Sequence, residues 1–149
     1  MPRFMGIDYG TRRIGLAVGD TDAGVASPVE TIEARGGITD QVRAVETTAQ
    51  EYQVDAFVIG LPLNMEGTEG DQAKVARKFG EALARTTGKP VHYWDERLSS
   101  RHAQELLQPA GLTHRQQRAI EDSVAAQVIL QGFLDDRGQD GGTKSSTEQ

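Results

Sequence analysis

The sequence predicts an α/β protein in which helices cover both faces of one five-stranded mixed sheet. Three observations support this fold class. Short segments with two-residue apolar periodicity, joined by short links, indicate an antiparallel meander of three strands at the start of the chain. Two later apolar runs alternate with segments of helical spacing, which indicates parallel strands joined by helical crossovers. After the fifth predicted strand the chain shows only helical periodicity, so the predicted order is β-β-β-α-β-α-β-α-α.

The meander is predicted from strands at residues 3–8, 14–19 and 25–34. In the first strand Met5 and Ile7 lie on one face, whereas Phe4, Gly6 and Asp8 lie on the other. A turn at residues 9–13 makes the first two strands a hairpin, and Gly36-Gly37 ends the meander.

The remaining elements alternate between helices and strands. We predict helices at residues 38–52, from the end of a polar loop at 61–71 to about 87, at 99–108 and at 114–135, with a buried strand at 54–59 and a fifth strand at 90–94. From Gly138 onward the chain has no apolar residue. We therefore expect one domain over residues 1–137 and a disordered tail over residues 138–149.

Composition excludes several classes of protein. The chain of 149 residues has no cysteine, so it has neither disulfides nor thiolate metal ligands. Its net charge of −6 argues against a protein that coats nucleic acid through bulk charge, but an enzyme acting on nucleic acid needs only a local basic rim. With no apolar run long enough to cross a bilayer and no signal-peptide pattern, we expect a cytoplasmic protein without membrane contact.

Carboxylates at the ends of predicted strands are the first candidates for a functional site. Asp8 ends a strand that we expect to be central, where an ionised carboxylate is costly unless it is paired or holds a metal. In a purely structural role, Asp8 would cap the following turn. Gly6 and Gly10 on either side favour a functional role, because they permit close approach of backbone or ligand. Asp95 and Glu96 both follow the fifth strand, and at least one of them is expected to be a solvated charge.

Asp122 is a third candidate because it lies on the packing face of the last predicted helix. It shares that face with Ala126, Ile129 and Phe133. A carboxylate on such a face is unusual, although an Asp satisfied by Arg or backbone is the alternative. The small pair Ala125-Ala126 allows this helix to approach the sheet and present Asp122 at a strand end.

Acids from the first strand, a later strand exit and the last helix suit a hard divalent cation, Mg²⁺ or Mn²⁺. The histidines lack the close helical spacing of a zinc pair; they are His92, His102 and His114. On this hypothesis the metal site hydrolyses phosphodiester bonds of nucleic acid. The residues expected to contact nucleic acid are Arg12, Arg13, Asn64, Arg97, Arg101, Arg115 and Arg118.

Four segments, in order, resemble the YqgF family of Holliday-junction-resolvase-like proteins in the RNase H-like superfamily. They are residues 6–17 (GIDYGTRRIGLA), 60–70 (GLPLNMEGTEG), 95–100 (DERLSS) and 122–131 (DSVAAQVILQ). The resemblance runs from about Arg3 to Leu134. Ser99 and Ser100 replace two threonines that are usual in the family, which keeps both hydroxyl groups.

The resemblance implies an RNase H-like fold and a divalent-metal nuclease that matures the 5′ end of 16S ribosomal RNA. It carries over Asp8, Glu96 and Asp122 as the catalytic and metal-binding acids. True resolvases have an acid at the end of the fourth strand; here that strand leads into Gly60-Leu61-Pro62, and Glu96 is expected to stand in.

Three other functions stay open on the sequence alone. One is cleavage of branched DNA as a Holliday junction resolvase, acting as a monomer or as a homodimer. Another is a regulatory protein that binds nucleic acid without cutting it. The third is a nucleotide-binding protein, because residues 8–11 (DYGT) also resemble the phosphate-binding turn of sugar kinases. Those proteins need two copies of the fold, and this chain has room for one.

Overall fold

The computed structural model describes residues 2–98 and 114–140. The elements, in chain order, are β1 (Arg3–Tyr9), β2 (Arg13–Asp20), β3 (Ala26–Glu33), α1 (Ile38–Glu51), β4 (Ala56–Leu61), α2 (Asp71–Thr87), β5 (Val91–Asp95), a 3₁₀ turn (Glu96–Leu98) and α3 (His114–Asp140). The strands form one sheet in the order β3-β2-β1-β4-β5. β1 pairs antiparallel with β2 and parallel with β4. The predicted mixed sheet is therefore confirmed, with β1 at its centre.

Most boundaries agree with the predicted ones to within one residue, but the fourth strand and the last helix differ by more. The fourth strand begins at Ala56 rather than Val54, because the Val54 amide donates to the Ala49 carbonyl (2.9 Å) and so belongs to the link that leaves α1. The last helix continues to Asp140, past the expected end of the domain, since Gly138 weakens a helix without stopping it. The predicted helix at 99–108 and residues 141–149 of the predicted tail lie outside the described residues.

Helices cover both faces of the sheet, as predicted. α1 and α2 pack over the face that carries Met5 and Ile7. α3 packs over the opposite face, where Phe4 contacts Phe133 with ring centroids 5.2 Å apart. Within the described part of the chain, none of the helices combines the length and the apolar character that crossing a membrane would require.

Glycine on the sheet allows α3 to lie very close to it. A Cβ atom at Gly6 would be 2.7 Å from both the Ala126 carbonyl oxygen and Leu130 Cβ, which real packing does not tolerate. α3 also bonds to the backbone beyond β2: Gln131 accepts from the Ala26 amide (2.9 Å) and donates to the Gly24 carbonyl (2.8 Å). These contacts fix the position of α3 over the meander.

Candidate active site

Asp8 lies near the carboxyl end of the central strand β1, on the face covered by α3. The next residue, Tyr9, faces the other side, where its ring stacks on Phe79 (4.4 Å) and its hydroxyl donates to Gln41 Oε1 (2.5 Å). These two contacts fix the strand end. The direction of the Asp8 side chain is thereby set by the pleat.

Both neighbours of Asp8 across the sheet are glycines. Asp8 pairs with Gly15 of β2, and the parallel register that pairs Ile7 with Ile59 continues to place Gly60 of β4 on the other side. Neither neighbour has a side chain, so space is left on both sides of the Asp8 carboxylate. Each of these two spaces is filled by a segment that carries another acid.

Glu96 fills the space above Gly60. A Cβ atom at Gly60 would be 2.8 Å from both Cγ and Oε2 of Glu96. Glu96 begins the 3₁₀ turn after β5, and β4 and β5 are parallel neighbours, so its side chain reaches back across the end of β4. The expectation that Glu96 replaces an acid at the end of the fourth strand thus has a geometric basis.

The backbone of Asp122 fills the space above Gly15. A Cβ atom at Gly15 would collide with the Asp122 carbonyl oxygen. The Asp122 carboxylate accepts from Arg13 Nε at 2.5 Å, and the two side chains are 22% and 32% exposed. Asp122 faces the sheet, in agreement with the predicted packing face. Its ion pair with Arg13 also agrees with the alternative interpretation, in which a buried Asp is satisfied by an arginine.

The three acids influence one another electrostatically. Burial raises the pKa of the Asp8 carboxyl to about 6, and the negative charge of Asp122 adds to the shift. Burial raises the pKa of Glu96 to about 7, with further increments from Asp8 and then Asp95. Asp8 is therefore close to both other acids, and the site carries more negative charge than its surroundings compensate.

The site fits a divalent cation in its donor chemistry. Within the described residues, neither Asp8 nor Glu96 has a hydrogen bond or an ion pair to its carboxylate, so a cation would relieve their repulsion. Among residues 2–98 and 114–140, however, no group of three or more acids or histidines is already arranged as a metal cluster. One oxygen of Asp122 is bound to Arg13. The metal role of the three acids stays a prediction.

The residues predicted to contact nucleic acid have varied surroundings. Arg12 is exposed in the turn between β1 and β2, whereas Arg13 is paired with Asp122. Asn64 shapes its own loop, where its side-chain amide donates to Thr68 Oγ1 (2.9 Å). Arg101 lies outside the described residues, and so do the side chains of Arg115 and Arg118. Their roles in binding stay predictions.

Arg97 ties two loops of the site together. Its guanidinium group forms a fork on Asp95, with Nη2–Oδ2 at 2.6 Å, and this contact lowers the pKa of the Asp95 carboxyl. Its Nη1 donates to the Met65 carbonyl at 3.0 Å. Arg97 therefore links the exit of β5, where Glu96 lies, to the loop between β4 and α2.

We expect Arg97→Lys to loosen this loop, because an ammonium group cannot form the planar fork. The amides of Asn64 and Gly67, which close the loop turn, should exchange hydrogen severalfold faster, while the unfolding temperature changes little. Hydrogen exchange followed by NMR tests this. Arg35→Lys is the matched control, since Arg35 pairs with Glu33 two residues away and far from the loop. Equal exchange in both variants would show that Arg97 does not hold the loop.

Sequence reasoning missed Gly15 and Gly60, the two glycines that lie beside Asp8 on the neighbouring strands. A signal was present in the second strand, where alternate positions carry only small residues, Gly15, Ala17 and Gly19. Three small residues on one face of a strand indicate that another element packs unusually close to it. The pairing of Gly60 with Glu96 has no comparable signal, because it depends on the register of two parallel strands.

Comparison with known proteins identifies related sequences over nearly the whole chain. The profile of the RuvX family, described as Holliday junction resolvase, matches residues 2–136. A relative from Anaeromyxobacter dehalogenans (strain 2CP-C), named "Putative pre-16S rRNA nuclease", is 47% identical over 135 residues, which are 91% of this chain and 98% of the relative. A relative of the same name from Moorella thermoacetica is 42% identical over 139 residues, which are 93% and 99% of the two chains.

Solved structures confirm the RNase H-like fold. Similar folds include T. thermophilus RuvC in complex with a Holliday junction substrate, with a TM-score of 0.57 at 14% identity, covering 92% of this chain and 96% of RuvC. The Fowlpox virus resolvase in complex with Holliday junction DNA has a TM-score of 0.51 at 11% identity, covering 89% and 98%. At these identities the likeness shows the shared fold alone.

Proposed function

The chain belongs to the RuvX family and is a nuclease, and from this we propose that it hydrolyses phosphodiester bonds at Asp8, Glu96 and Asp122 with a divalent cation. We further propose that its substrate is the precursor of 16S ribosomal RNA, processed at the 5′ end. Resolvase-like nucleases of this kind generally use divalent metal ions. Mg²⁺ and Mn²⁺ suit the all-oxygen donor set.

The arrangement around Asp8 is the observation that supports this proposal most. Its two glycine neighbours leave space that is occupied by Glu96 on one side and by the backbone of Asp122 on the other. Acids from three separate elements thus surround one strand end. The raised pKa values of Asp8 and Glu96 follow from burying like charges together, which is typical of functional sites.

The residues of the chain would act mainly by position and charge. Asp8 and Glu96 would hold the cation, and Asp122 would join them on the side of α3. A divalent cation bound there would neutralise charge that develops on the phosphodiester and orient the attacking water. Arg13 holds the Asp122 carboxylate in place, and Arg97 holds the turn that carries Glu96.

The names of the relatives favour an RNA substrate, whereas the description of the family favours branched DNA. Cleavage of a Holliday junction is therefore the second candidate function. Both candidates require the same acids and the same cation. They differ only in the nucleic acid that reaches the edge of the sheet.

The substrate is tested by incubating the protein with precursor 16S RNA, a single-stranded RNA of unrelated sequence and a four-way DNA junction. Each is tested with Mg²⁺, with Mn²⁺ and with chelator. We expect cleavage of the precursor near its 5′ end that chelator abolishes. Cleavage of the junction alone would assign the second function, and cleavage in the presence of chelator would contradict the metal mechanism.

A further inference from the structure

The exposed side of α2 carries an excess of positive charge, in contrast to the other helix on the same face of the sheet. α2 contains four basic residues (Lys74, Arg77, Lys78 and Arg85) and two acidic ones (Asp71 and Glu81). α1 contains Arg43 against three acids. In a chain with a net charge of −6, this concentration of positive charge indicates a surface for an anionic partner.

Two of these cations are free to bind a ligand. Lys74 and Lys78 are exposed, and within residues 2–98 and 114–140 neither ammonium group forms an ion pair or a hydrogen bond. By contrast, Arg13 is bound to Asp122 and Arg97 to Asp95. Two of the arginines expected from the sequence to meet phosphates, Arg13 and Arg97, are thus already paired, whereas the two lysines are not.

Lys74 and Lys78 lie one helical turn apart and line the same groove. The groove has a volume of about 490 Å³, and its other lining residues are Asp71, Val75, Arg77 and Glu81, so that it contains three cations and two carboxylates. Arg77 is held in position by Glu69 (2.7 Å) and lies over the ring of Tyr93 (4.7 Å). Arg77 is therefore a cation held in place in the groove, and the two exposed ammonium groups beside it can contact successive phosphates.

α2 begins near the edge of the sheet at which β1 and β4 end, on the face opposite to the one that carries Asp8. β4 ends at that edge, the loop of residues 62–70 follows, and α2 starts at Asp71. Arg97 fastens this loop to Asp95, the neighbour of Glu96. Lys74 is in the first turn of α2, and Lys78 is about 6 Å further along the helix axis. A nucleic-acid strand that crosses this edge of the sheet and continues along the axis of α2 would meet both lysines in turn.

We propose that Lys74 and Lys78 bind the phosphate backbone of the nucleic acid on its way from the cleavage site along α2. This surface rests on the proposed nuclease function and names where its substrate lies. It recognises backbone charge, because ammonium groups reach phosphate oxygens.

The test measures how salt weakens binding. The full chain carrying Asp8→Asn, which should not cut, is titrated against a labelled single-stranded RNA over a range of KCl concentrations. Adding Lys74→Ala and Lys78→Ala should reduce the slope of log K against log [KCl] by about 1.4, since each phosphate contact on a single strand contributes about 0.7. The pair Lys74→Arg and Lys78→Arg should keep the slope.

The matched control is Arg43→Ala with Arg85→Ala, which removes the same charge from α1 and from the far end of α2. It should leave the slope unchanged, and circular dichroism confirms that each variant is folded. An unchanged slope in the lysine variant, or an equal fall in the control, would overturn the proposal. Cleavage of precursor RNA by the wild-type protein is assayed separately. If the protein cuts this RNA but the lysine variant keeps the full slope, only the binding surface is refuted. If the lysine variant has a reduced slope but the wild-type protein does not cut this RNA, only the proposed substrate is refuted.

Discussion

Asp8→Asn is expected to reduce metal-dependent cleavage by about 10²- to 10³-fold, the effect of removing one preorganised electrostatic contact from an active site. Asp8 is coupled to both other acids, because the charge of Asp122 raises the pKa of Asp8 and the charge of Asp8 raises the pKa of Glu96, so its loss removes the centre of the proposed cation site. Cleavage rates at saturating Mg²⁺ measure the effect. Asp55→Asn, whose carboxylate bonds to the Arg3 amide away from the site, is the control.

The same change should stabilise the metal-free protein at neutral pH. Burial raises the pKa of Asp8 from 3.8 to about 6, so the carboxyl group contributes stability that is complete below pH about 3.8 and is lost as the pH rises through about 6. Asparagine does not titrate. The free energy of unfolding of the variant should therefore rise relative to that of the wild type between these two pH values, by at most about 3 kcal/mol at pH 7.

Urea unfolding of both proteins in chelator, from pH 4 to pH 7.5, measures this gain. The pKa of Glu96 should fall toward its ordinary value in the variant, because the charge of Asp8 contributes to its rise. A variant that cuts RNA at the normal rate would remove Asp8 from the mechanism. A variant less stable than the wild type at pH 7 would show that the carboxylate is compensated in the folded state.

Gly15→Ala should damage both the fold and the site. The added Cβ atom would collide with the backbone carbonyl oxygen of Asp122, and a backbone atom cannot rotate away as a side chain can. α3 must then move off the sheet, at a cost of about 1–3 kcal/mol. Because Asp122 moves with the helix, cleavage should fall by about 10²-fold, the effect of a displacement of about 1 Å in a catalytic group.

Gly37→Ala is the matched control for this prediction. No atom lies within 4 Å of the added Cβ atom at Gly37, and its φ of −86° suits alanine. Its stability should stay within about 1 kcal/mol of the wild type, with normal cleavage. Urea unfolding and cleavage are measured on the same samples. If Gly15→Ala matches the control in both, α3 does not pack against β2 at this point.

Within residues 2–98 and 114–140, the apolar pattern was sufficient to predict which strands and helices form and which faces they bury, although not all of their boundaries. The alternation in β1 placed Asp8 opposite Met5 and Ile7, and the helical spacing after Asp122 placed Ile129 and Phe133 against the sheet, as the structure shows. Both predictions rest on local periodicity, which a single sequence displays directly.

Contacts between distant segments could not be predicted in the same way. The partner of Arg13 is Asp122, and Arg97 donates to the Met65 carbonyl, but in the sequence each arginine resembles any surface charge. The space beside Asp8 depends on the cross-strand register of Gly15 and Gly60. Register is fixed only when the whole sheet forms. Neither the space beside Asp8 nor the partner of each charged side chain could therefore be deduced from the spacing of residues in the sequence.

The contacts of α3 with the meander have a consequence for how the enzyme is made. The hydrogen bond from the Ala26 amide to Gln131 spans 105 residues, and that between Arg13 and Asp122 spans 109. Such long-range closures come late, because the chain entropy they cost is recovered only when both partners exist. As the chain leaves the ribosome, the sheet can assemble strand by strand, but the third acid arrives with the last helix. Catalytic competence is therefore expected only once α3 has been synthesised.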